Sequence, residues 1–314
     1  MADVITGASA DVGAGQLTNQ VIESYDRKAY FALRENAVFD ATFSVKPGSV
    51  TSPGTPVTFT FWADMAPATT PLDESLDLDS VGLSDSQVSV TPDEYGNAVR
   101  MTARLKADDF LAGWDSDVAN LLAYNAVDTT ESLAEAALTG GTNVEYVGQA
   151  SEGAVTAGNI LTADIVRRKH AELRGANVMD FGGMYVAIIH PDVAYDLKSE
   201  TGDGAWVAPA QYVNTERIYK NEIGTFGGFR FVENSRARLN PDGGSGTVDT
   251  YTTYFMGQQA GAKAVSIPLN MVEGPVVDKL RRFFTLGWHT YAGWDTFREA
   301  ALERVVGASS IGAN

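Results

Sequence analysis

The chain has 314 residues and a formal net charge of −17 at pH 7, from 40 acidic against 23 basic side chains. Its overall charge therefore gives it no attraction to nucleic acid or to anionic lipid. It has no cysteine, which excludes disulfide stapling, thiolate catalysis and cysteine-based zinc sites.

The first 38 residues are predicted to form an N-terminal arm. Residues 1–15 are small and polar, with no basic side chain and no apolar block, so they do not resemble a secretory signal. The chain also lacks an apolar run of about eighteen residues, the length that would predict a transmembrane helix. We therefore expect a protein that folds in a cytosol and does not enter a membrane.

Residues 39–104 are predicted to form an extended hairpin arm. Apolar and polar side chains alternate from Val57 to Trp62, as they do in a strand. Further strands are expected at 87–90 and 98–104, on either side of a turn at 92–96. With so few apolar positions, the arm cannot bury a core of its own. It therefore needs another surface to lie on, and a second copy of the chain is the first candidate.

Residues 105–138 give the strongest helical signal in the chain. Apolar residues recur at spacings of three and four from Phe110 onward, which places them on one helical face. The pair Gly140-Gly141 ends the run. Asp128 followed by Glu131 could be a second N-cap with its capping box, so the sequence allows either one long helix or two helices with a bend.

Helix and strand signals alternate after the long helix. A helix is predicted from the N-cap Thr162 to Gly175. A buried-type strand at 183–189 then leads into a helix at 193–199, with Asp192 as its cap. After a glycine-rich turn, further strands are expected at 229–232, 251–257, 262–267, 282–291 and 300–306. Strands clustered at the end, far from the long helix, predict an α+β fold rather than a doubly wound α/β fold.

The sequence shows no constellation that carries catalysis. None of the three histidines, His170, His190 and His289, has a partner at a recognised metal-ligand spacing. A phosphate-binding loop is also absent. The densest acidic cluster, Asp73 to Asp79, lies in the extended arm, where solvation keeps carboxylates ionised. We therefore predict no catalytic residue, no cofactor and no metal site.

Six blocks of sequence, together with the order of elements, carry a family resemblance. They are PLDES (71–75), PDEYGNAV (92–99), GMYVAIIHPDVAYDL (183–197), NEIGTFGGFRFVENS (221–235), DKLRRFFTLGWHTYAGW (278–294) and ERVVGASS (303–310). This combination resembles the major capsid proteins of tailed bacteriophages with the Hong Kong 97 type fold, and more specifically the podovirus N-four type family. The block at 221–235 is the most specific of the six.

The resemblance implies a division of the α+β chain into the parts of that capsid fold. These parts are an N-terminal arm (1–38), an E-loop (39–104), a P-domain (105–182) with the spine helix at 105–138, an A-domain (183–275) and return strands of the P-domain (276–314). A bend at Asp128, if the helix has one, would then help to set shell curvature. Contacts between subunits are expected from the arm, the start of the spine helix and one later loop, at Phe59, Phe61, Trp62, Leu72, Glu74, Tyr95, Trp114 and Trp206.

The resemblance also implies a function without catalysis. Copies of the chain would associate as hexamers and pentamers and close into an icosahedral shell around phage double-stranded DNA, held without sequence specificity. Expected partners are other copies, portal and scaffolding proteins, and cement or decoration proteins; the expected location is the virion capsid, assembled in the host cytoplasm. Two alternatives are an encapsulin-like nanocompartment shell with protein cargo and a virion-associated carbohydrate-active protein.

Overall fold

The structure is a computed structural model, and it describes residues 38–45, 55–62, 65–69, 71, 77, 80–102, 114–200, 222–273, 280 and 282–311. The predicted N-terminal arm therefore lies almost entirely outside the described residues. Within these ranges, two sheets and a two-stranded hairpin are arranged around three α-helices: α1 (Trp114–Thr139), α2 (Ala163–Gly175) and α3 (Pro191–Ser199). No described helix is both long and apolar enough to cross a lipid bilayer.

Four strands form the first sheet, which we call the long-strand sheet. Their order is β1 (Ser44–Val45), β11 (Gly261–Glu273), β12 (Phe283–Thr296) and β4 (Asp93–Thr102). The pairs β11–β12 and β12–β4 are antiparallel, whereas the short β1 is parallel to β11. The turn predicted at 92–96 is wrong from Asp93 onward, because those residues pair in register with β12 as part of β4.

Seven strands form the second sheet, which we call the mixed sheet. Their order is β5 (Val144–Tyr146), β13 (Leu302–Gly307), β10 (Thr250–Met256), β6 (Tyr185–Ile189), β8 (Phe229–Glu233) and β7 (Glu222–Phe226), with β9 (Leu239–Asn240) also paired to β10. The pairs β5–β13 and β6–β8 are parallel and the others antiparallel. Mixed pairing with few helices is an α+β arrangement, which confirms the predicted fold class.

Two strands pair across the expected boundary between the A-domain, which ends at 275, and the return strands, which begin at 276. The strand β11 falls before that boundary but pairs with β12 after it. The strand β13 falls near the chain end, yet it lies inside the mixed sheet between β10 and β5. After β10 of the mixed sheet, the chain returns to the long-strand sheet at Gly261, and its last residue in that sheet is Thr296.

Helix α1 is continuous and joins the cores of the two sheets. Near its start, Val118, Leu122 and Ala126 pack with Met101 and Trp288 of the long-strand sheet. Near its end, Ala134 and Leu138 belong to the main core beneath the mixed sheet. The apolar stripe read from the sequence is therefore divided between two partners.

The alternative of two helices with a second N-cap at Asp128 is wrong. The helix runs through this position, and the Ser132 hydroxyl donates to the Asp128 carbonyl within the helix. The Asp128 carboxylate accepts instead from Arg236 Nε at 2.8 Å. Glu131 accepts from a distant segment, described below. Asp128 and Glu131, whose spacing suggests a capping box, are therefore hydrogen-bonded to residues from other elements instead.

Helices α2 and α3 begin and end close to where the sequence predicts. Thr162 is the N-cap residue of α2, but its side chain makes no capping hydrogen bond; the amide of Ala163 donates to the Glu200 carboxylate at 2.7 Å. Helix α3 starts at Pro191, so His190 rather than Asp192 is its cap. Proline suits the first helical position because the amide it lacks would have no partner within the helix.

The glycine-rich block forms a tight hairpin between β7 and β8. Gly227 and Gly228 have φ values of +58° and +87°, the left-handed region that a two-residue hairpin turn requires. A Cβ on Gly228 would lie 2.3 Å from the His170 ring of α2. The turn therefore needs glycine both for its backbone and for its packing against α2.

Candidate assembly surfaces

The hairpin of β2 (Val57–Trp62) and β3 (Asp85–Val90) is attached to its own subunit at its root. Val57, Phe59 and Val90 are buried against Ala262 and Ala264 of the long-strand sheet. Small residues on β11 leave room for this contact. The Phe59 ring also lies 5.5 Å from the Phe297 ring. Phe59 is thus used inside the subunit and has only 7% of its surface left for a neighbour.

The opposite end of the hairpin exposes large apolar side chains. Trp62, Met65, Val81 and Leu83 are each between 57% and 68% exposed. Isolated exposed apolar residues are ordinary on a protein surface, but four at the end of β2 and in the segment between β2 and β3 are characteristic of a contact surface. We call these four residues the arm patch.

A shallow groove of about 370 Å³ lies on the long-strand sheet. Its lining includes the small residues Gly96, Ala98 and Gly287, with Ala98 and Gly287 in register on neighbouring strands. Along the outer half of β11, Leu269, Met271 and Val272 are 43–46% exposed. This end of the sheet thus presents apolar side chains beside a flat, side-chain-poor surface.

The segment 38–45 fastens three parts of the fold together, and we call it the strap. Glu131 of α1 is fully buried, and its carboxylate accepts the amides of Val38, Phe39 and Asp40 at 2.8, 2.8 and 2.9 Å. These amides open the short 3₁₀ turn Asp40–Thr42, so Glu131 acts as its cap from a distant element.

The other side of the strap is held by an ion pair and by packing. The Asp40 carboxylate accepts from Lys263 Nζ at 2.7 Å and from Trp294 Nε1 at 2.8 Å. The Phe39 ring packs edge-on against Tyr254 of the mixed sheet, with 5.4 Å between ring centroids. No local sequence pattern marks this site, because the partners that hold residues 38–40 lie between 91 and 254 positions away.

A buried lysine ties α2 to one edge of the mixed sheet. Lys169 Nζ lies 2.6 Å from Glu172, 2.9 Å from Glu145 on β5 and 3.0 Å from Glu303 on β13, and its side chain is only 5% exposed. Burial lowers the pKa of Lys169, but hydrogen bonds to the three carboxylates outweigh it, so the pKa lies above the ordinary 10.5. Lys169 therefore stays charged at neutral pH.

Two buried tyrosines also carry shifted pKa values. Burial, the hydrogen bond to Asp192 and that group's charge together raise the pKa of Tyr251. Burial and the Glu135 carboxylate raise the pKa of Tyr254 in the same way. Both phenols remain neutral donors where the unfolded chain would ionise them.

The predicted contact residues are spread over these surfaces. Phe61 and Trp62 lie at the outer end of β2, and the Phe61 ring is 5.6 Å from Phe297. Tyr95 is partly buried on β4, with its ring 6.2 Å from Trp294. Trp114 is the first residue of α1 as described, and nothing is described of its side chain. The other three, Leu72, Glu74 and Trp206, lie outside the described residues.

The histidines are engaged in packing and capping. The His170 ring packs against Tyr185 and Phe229, and His289 Nε2 lies 2.9 Å from Glu94. In the part of the chain that the structure describes, no group of three or more potential ligands could hold a metal ion. The exposed apolar side chains of the arm patch are suited to contacts with other proteins.

Comparison with known protein families and solved structures identifies proteins that are similar to this chain. A family model described as phage capsid protein matches residues 24–301. No curated protein sequence matches the chain. Among solved structures, the capsid of Ralstonia phage GP4 matches with a TM-score of 0.76 and 16% identity, over 98% of this chain and 100% of that one.

Two further structures show the same fold. The capsid asymmetric unit of Cyanophage Pam1 has a TM-score of 0.68 at 15% identity, covering 99% of this chain and 100% of that one. A structure from Mycobacterium phage Che8 has a TM-score of 0.65 at 15% identity, covering 90% and 96%. The α+β fold is thus that of the Hong Kong 97 type capsid structures.

Proposed function

The chain belongs to the phage capsid protein family and is a major capsid protein that forms the shell; we propose that its copies associate as hexamers and pentamers and close into an icosahedral shell around double-stranded DNA. The observation that carries this proposal is the hairpin of β2 and β3. Its root packs on its own subunit, while its outer end presents the arm patch with no described partner surface.

We further propose that the hairpin is the E-loop, within residues 39–104, and that it lies across a neighbouring subunit. In this arrangement α1 is the spine helix and the long-strand sheet is the body of the P-domain. The mixed sheet, with α2 and α3, forms the A-domain. This assignment follows strand pairing, so β11 joins the P-domain and β13 the A-domain.

The contacts between subunits would centre on the arm patch. Trp62 is the strongest candidate, because a large aromatic side chain that is 66% exposed gains most from burial against a partner. Phe61, Leu72, Glu74, Tyr95, Trp114 and Trp206 complete the proposed set. Phe59 would support the hairpin from inside the subunit rather than touch the neighbour.

The acidic composition is consistent with a shell that encloses DNA without binding it tightly. With a formal net charge of −17 per subunit, repulsion limits adhesion to the packaged duplex. We propose assembly in the host cytoplasm with scaffolding and portal proteins, with cement proteins as further partners, and no catalytic activity of the shell protein itself. Lys263, Lys169 and Arg236 are paired with carboxylates, consistent with a structural use of its bases.

The experiment is expression of the full chain followed by size-exclusion chromatography and negative-stain electron microscopy. We expect closed particles tens of nanometres across, alone or with a co-expressed scaffold. A compact monomer at all concentrations would refute the proposal. Particles from infected cells that hold a protein cargo and no DNA would instead identify an encapsulin-like compartment.

A further inference from the structure

The strap is the segment at which the proposed N-terminal arm joins the folded body, and it precedes the hairpin, whose root has a further attachment to β11. Residues 1–37 precede it and the hairpin follows it along the chain. Whatever holds residues 38–45 therefore sets where the chain on either side begins. This matters for assembly because arms that start from a displaced point would miss their neighbours.

Glu131 is an unusual choice for a purely stabilising residue. Its side chain has no exposed surface, yet it carries a carboxylate rather than an apolar group. Its described partners are three successive backbone amides, and no lysine or arginine within the described ranges forms an ion pair with it. A buried charge is a poor source of stability, because its desolvation offsets most of what its hydrogen bonds contribute. Such groups are better suited to fixing one arrangement among several.

The geometry of the contact makes it specific. Two amides share one carboxylate oxygen and the third binds the other, so both oxygens are used. A shift of the strap by one residue would carry Phe39 out of its contact with Tyr254 and Asp40 away from Lys263. The carboxylate, the ring and the ion pair thus select the same register.

The strap also joins elements that otherwise meet only in part. Glu131 lies on α1, Tyr254 lies on the mixed sheet, and Lys263 lies on the long-strand sheet, where Ser44 and Val45 add a parallel strand. Releasing Glu131 would free the strap from the helix while leaving both sheets hydrogen-bonded. Loss of this contact is therefore a local event rather than a global one.

We propose that Glu131 is an assembly-positioning residue, which grips the backbone of Val38 to Asp40 and so fixes the register from which the arms leave the subunit. The inference rests on the proposed shell function, since it concerns the arms that would reach other copies. Glu131 acts through the strap and need not touch a neighbour.

The test compares Glu131→Gln with Glu135→Gln. Both change one carboxylate to an amide on the same helix, one turn apart, but Glu135 accepts from the Thr139 and Tyr254 hydroxyls rather than from the strap. In Glu131→Gln the amide nitrogen would meet a backbone N–H, so one acceptor becomes a repulsive donor.

The readouts separate positioning from general stability. Hydrogen exchange on unassembled subunits should speed up about tenfold or more in a peptide covering residues 38–45, and remain unchanged in β6 and β8. Particle yield should fall about tenfold or more. Glu135→Gln should leave both strap exchange and yield near the wild-type values, because the amide oxygen of Gln can still accept from the Thr139 and Tyr254 hydroxyls and so keep Tyr254 in place against Phe39.

Each outcome has a defined meaning. If wild-type chain forms no particles, the shell function fails and this inference fails with it. If wild type assembles and Glu131→Gln assembles equally well despite faster strap exchange, only the inference is overturned. If Glu131→Gln does not fold, Glu131→Asp decides, because it keeps the carboxylate but draws it back by one methylene from the amides of Val38, Phe39 and Asp40; normal yield in that variant despite faster strap exchange would overturn the inference.

Discussion

Replacement of Lys169 by methionine tests the charge network that joins α2 to the mixed sheet. Methionine keeps the unbranched, apolar stem but removes the ammonium group between Glu145, Glu172 and Glu303. Glu145 retains Arg168, and Glu172 is 41% exposed and can turn to water. The stranded group is Glu303, whose side chain is 9% exposed.

The expected loss of stability is about 3 kcal/mol, the lower end of the range for breaking a buried ion pair from one side. Asn143 Nδ2 still donates to Glu303 at 2.6 Å, which keeps the loss from being larger. An unfolding entropy of about 2.1 cal/mol/K per residue gives roughly 0.66 kcal/mol/K for 314 residues. The melting temperature of the variant should therefore fall by about 5 °C.

The assay is thermal unfolding of unassembled subunits at neutral pH, because assembly would raise the apparent stability by mass action. The matched control is Lys198→Met, whose ion pair with Glu233 at 3.0 Å is formed by side chains that are 44% and 27% exposed. That pair should be worth less than about 1 kcal/mol. Adding Glu303→Gln to Lys169→Met should restore part of the loss, because the stranded charge is then removed. If Lys169→Met melts within about 1 °C of wild type, the reasoning is refuted.

Three more predictions follow from the described contacts. Trp62→Ala should leave subunit stability within about 0.5 kcal/mol of wild type but reduce particle yield, whereas Phe59→Ala should cost about 3 kcal/mol in unfolding assays; a large stability loss in Trp62→Ala would contradict the exposed position of this residue. Gly228→Ala should lose at least about 1–2 kcal/mol from the left-handed backbone alone, seen as a lower melting temperature, and an unchanged melting temperature would disprove the tight packing of this turn. Because the pKa values of Tyr251 and Lys169 are raised in the folded state, the unfolded chain loses their protons first, so stability should fall as pH rises above about 10. Guanidinium unfolding across this range should show the decline, and Tyr251→Phe should reduce its slope; an unchanged slope would remove this tyrosine from the explanation.

Local signals in the sequence located several elements well. Helix α2 runs from Ala163 to Gly175, with Thr162 at its N-cap, so its bounds are those predicted, although Thr162 makes no side-chain capping hydrogen bond and Ala176 is the C-cap. The apolar run before His190 predicted strand β6, and the glycine pair at 227–228 predicted the hairpin turn. Each of these features depends on residues only a few positions away, so a short stretch of sequence is enough to predict it.

Contacts between residues far apart in the chain could not be predicted from these local signals. Asp128 and Glu131 have the spacing of a capping box, but Arg236 and the strap use them instead, at separations of 108 and 91–93 residues. Phe59 alternates like an exposed arm residue, yet Phe297 and the small residues of β11 bury it. Pattern alone cannot tell which partner an apolar side chain will find.

The sequence by itself determined the acidic charge, the absence of cysteine chemistry, the α+β class and the long helix, because composition and periodicity act locally. Six short blocks also carried the resemblance to phage capsid proteins. Only the tertiary structure decided that β13 lies inside the mixed sheet, that the hairpin is fixed at its root and exposed at its end, and that Glu131 holds the strap. Those features arise when segments far apart in the chain bury apolar surface together, and their pairing is selected by the packing of the whole fold.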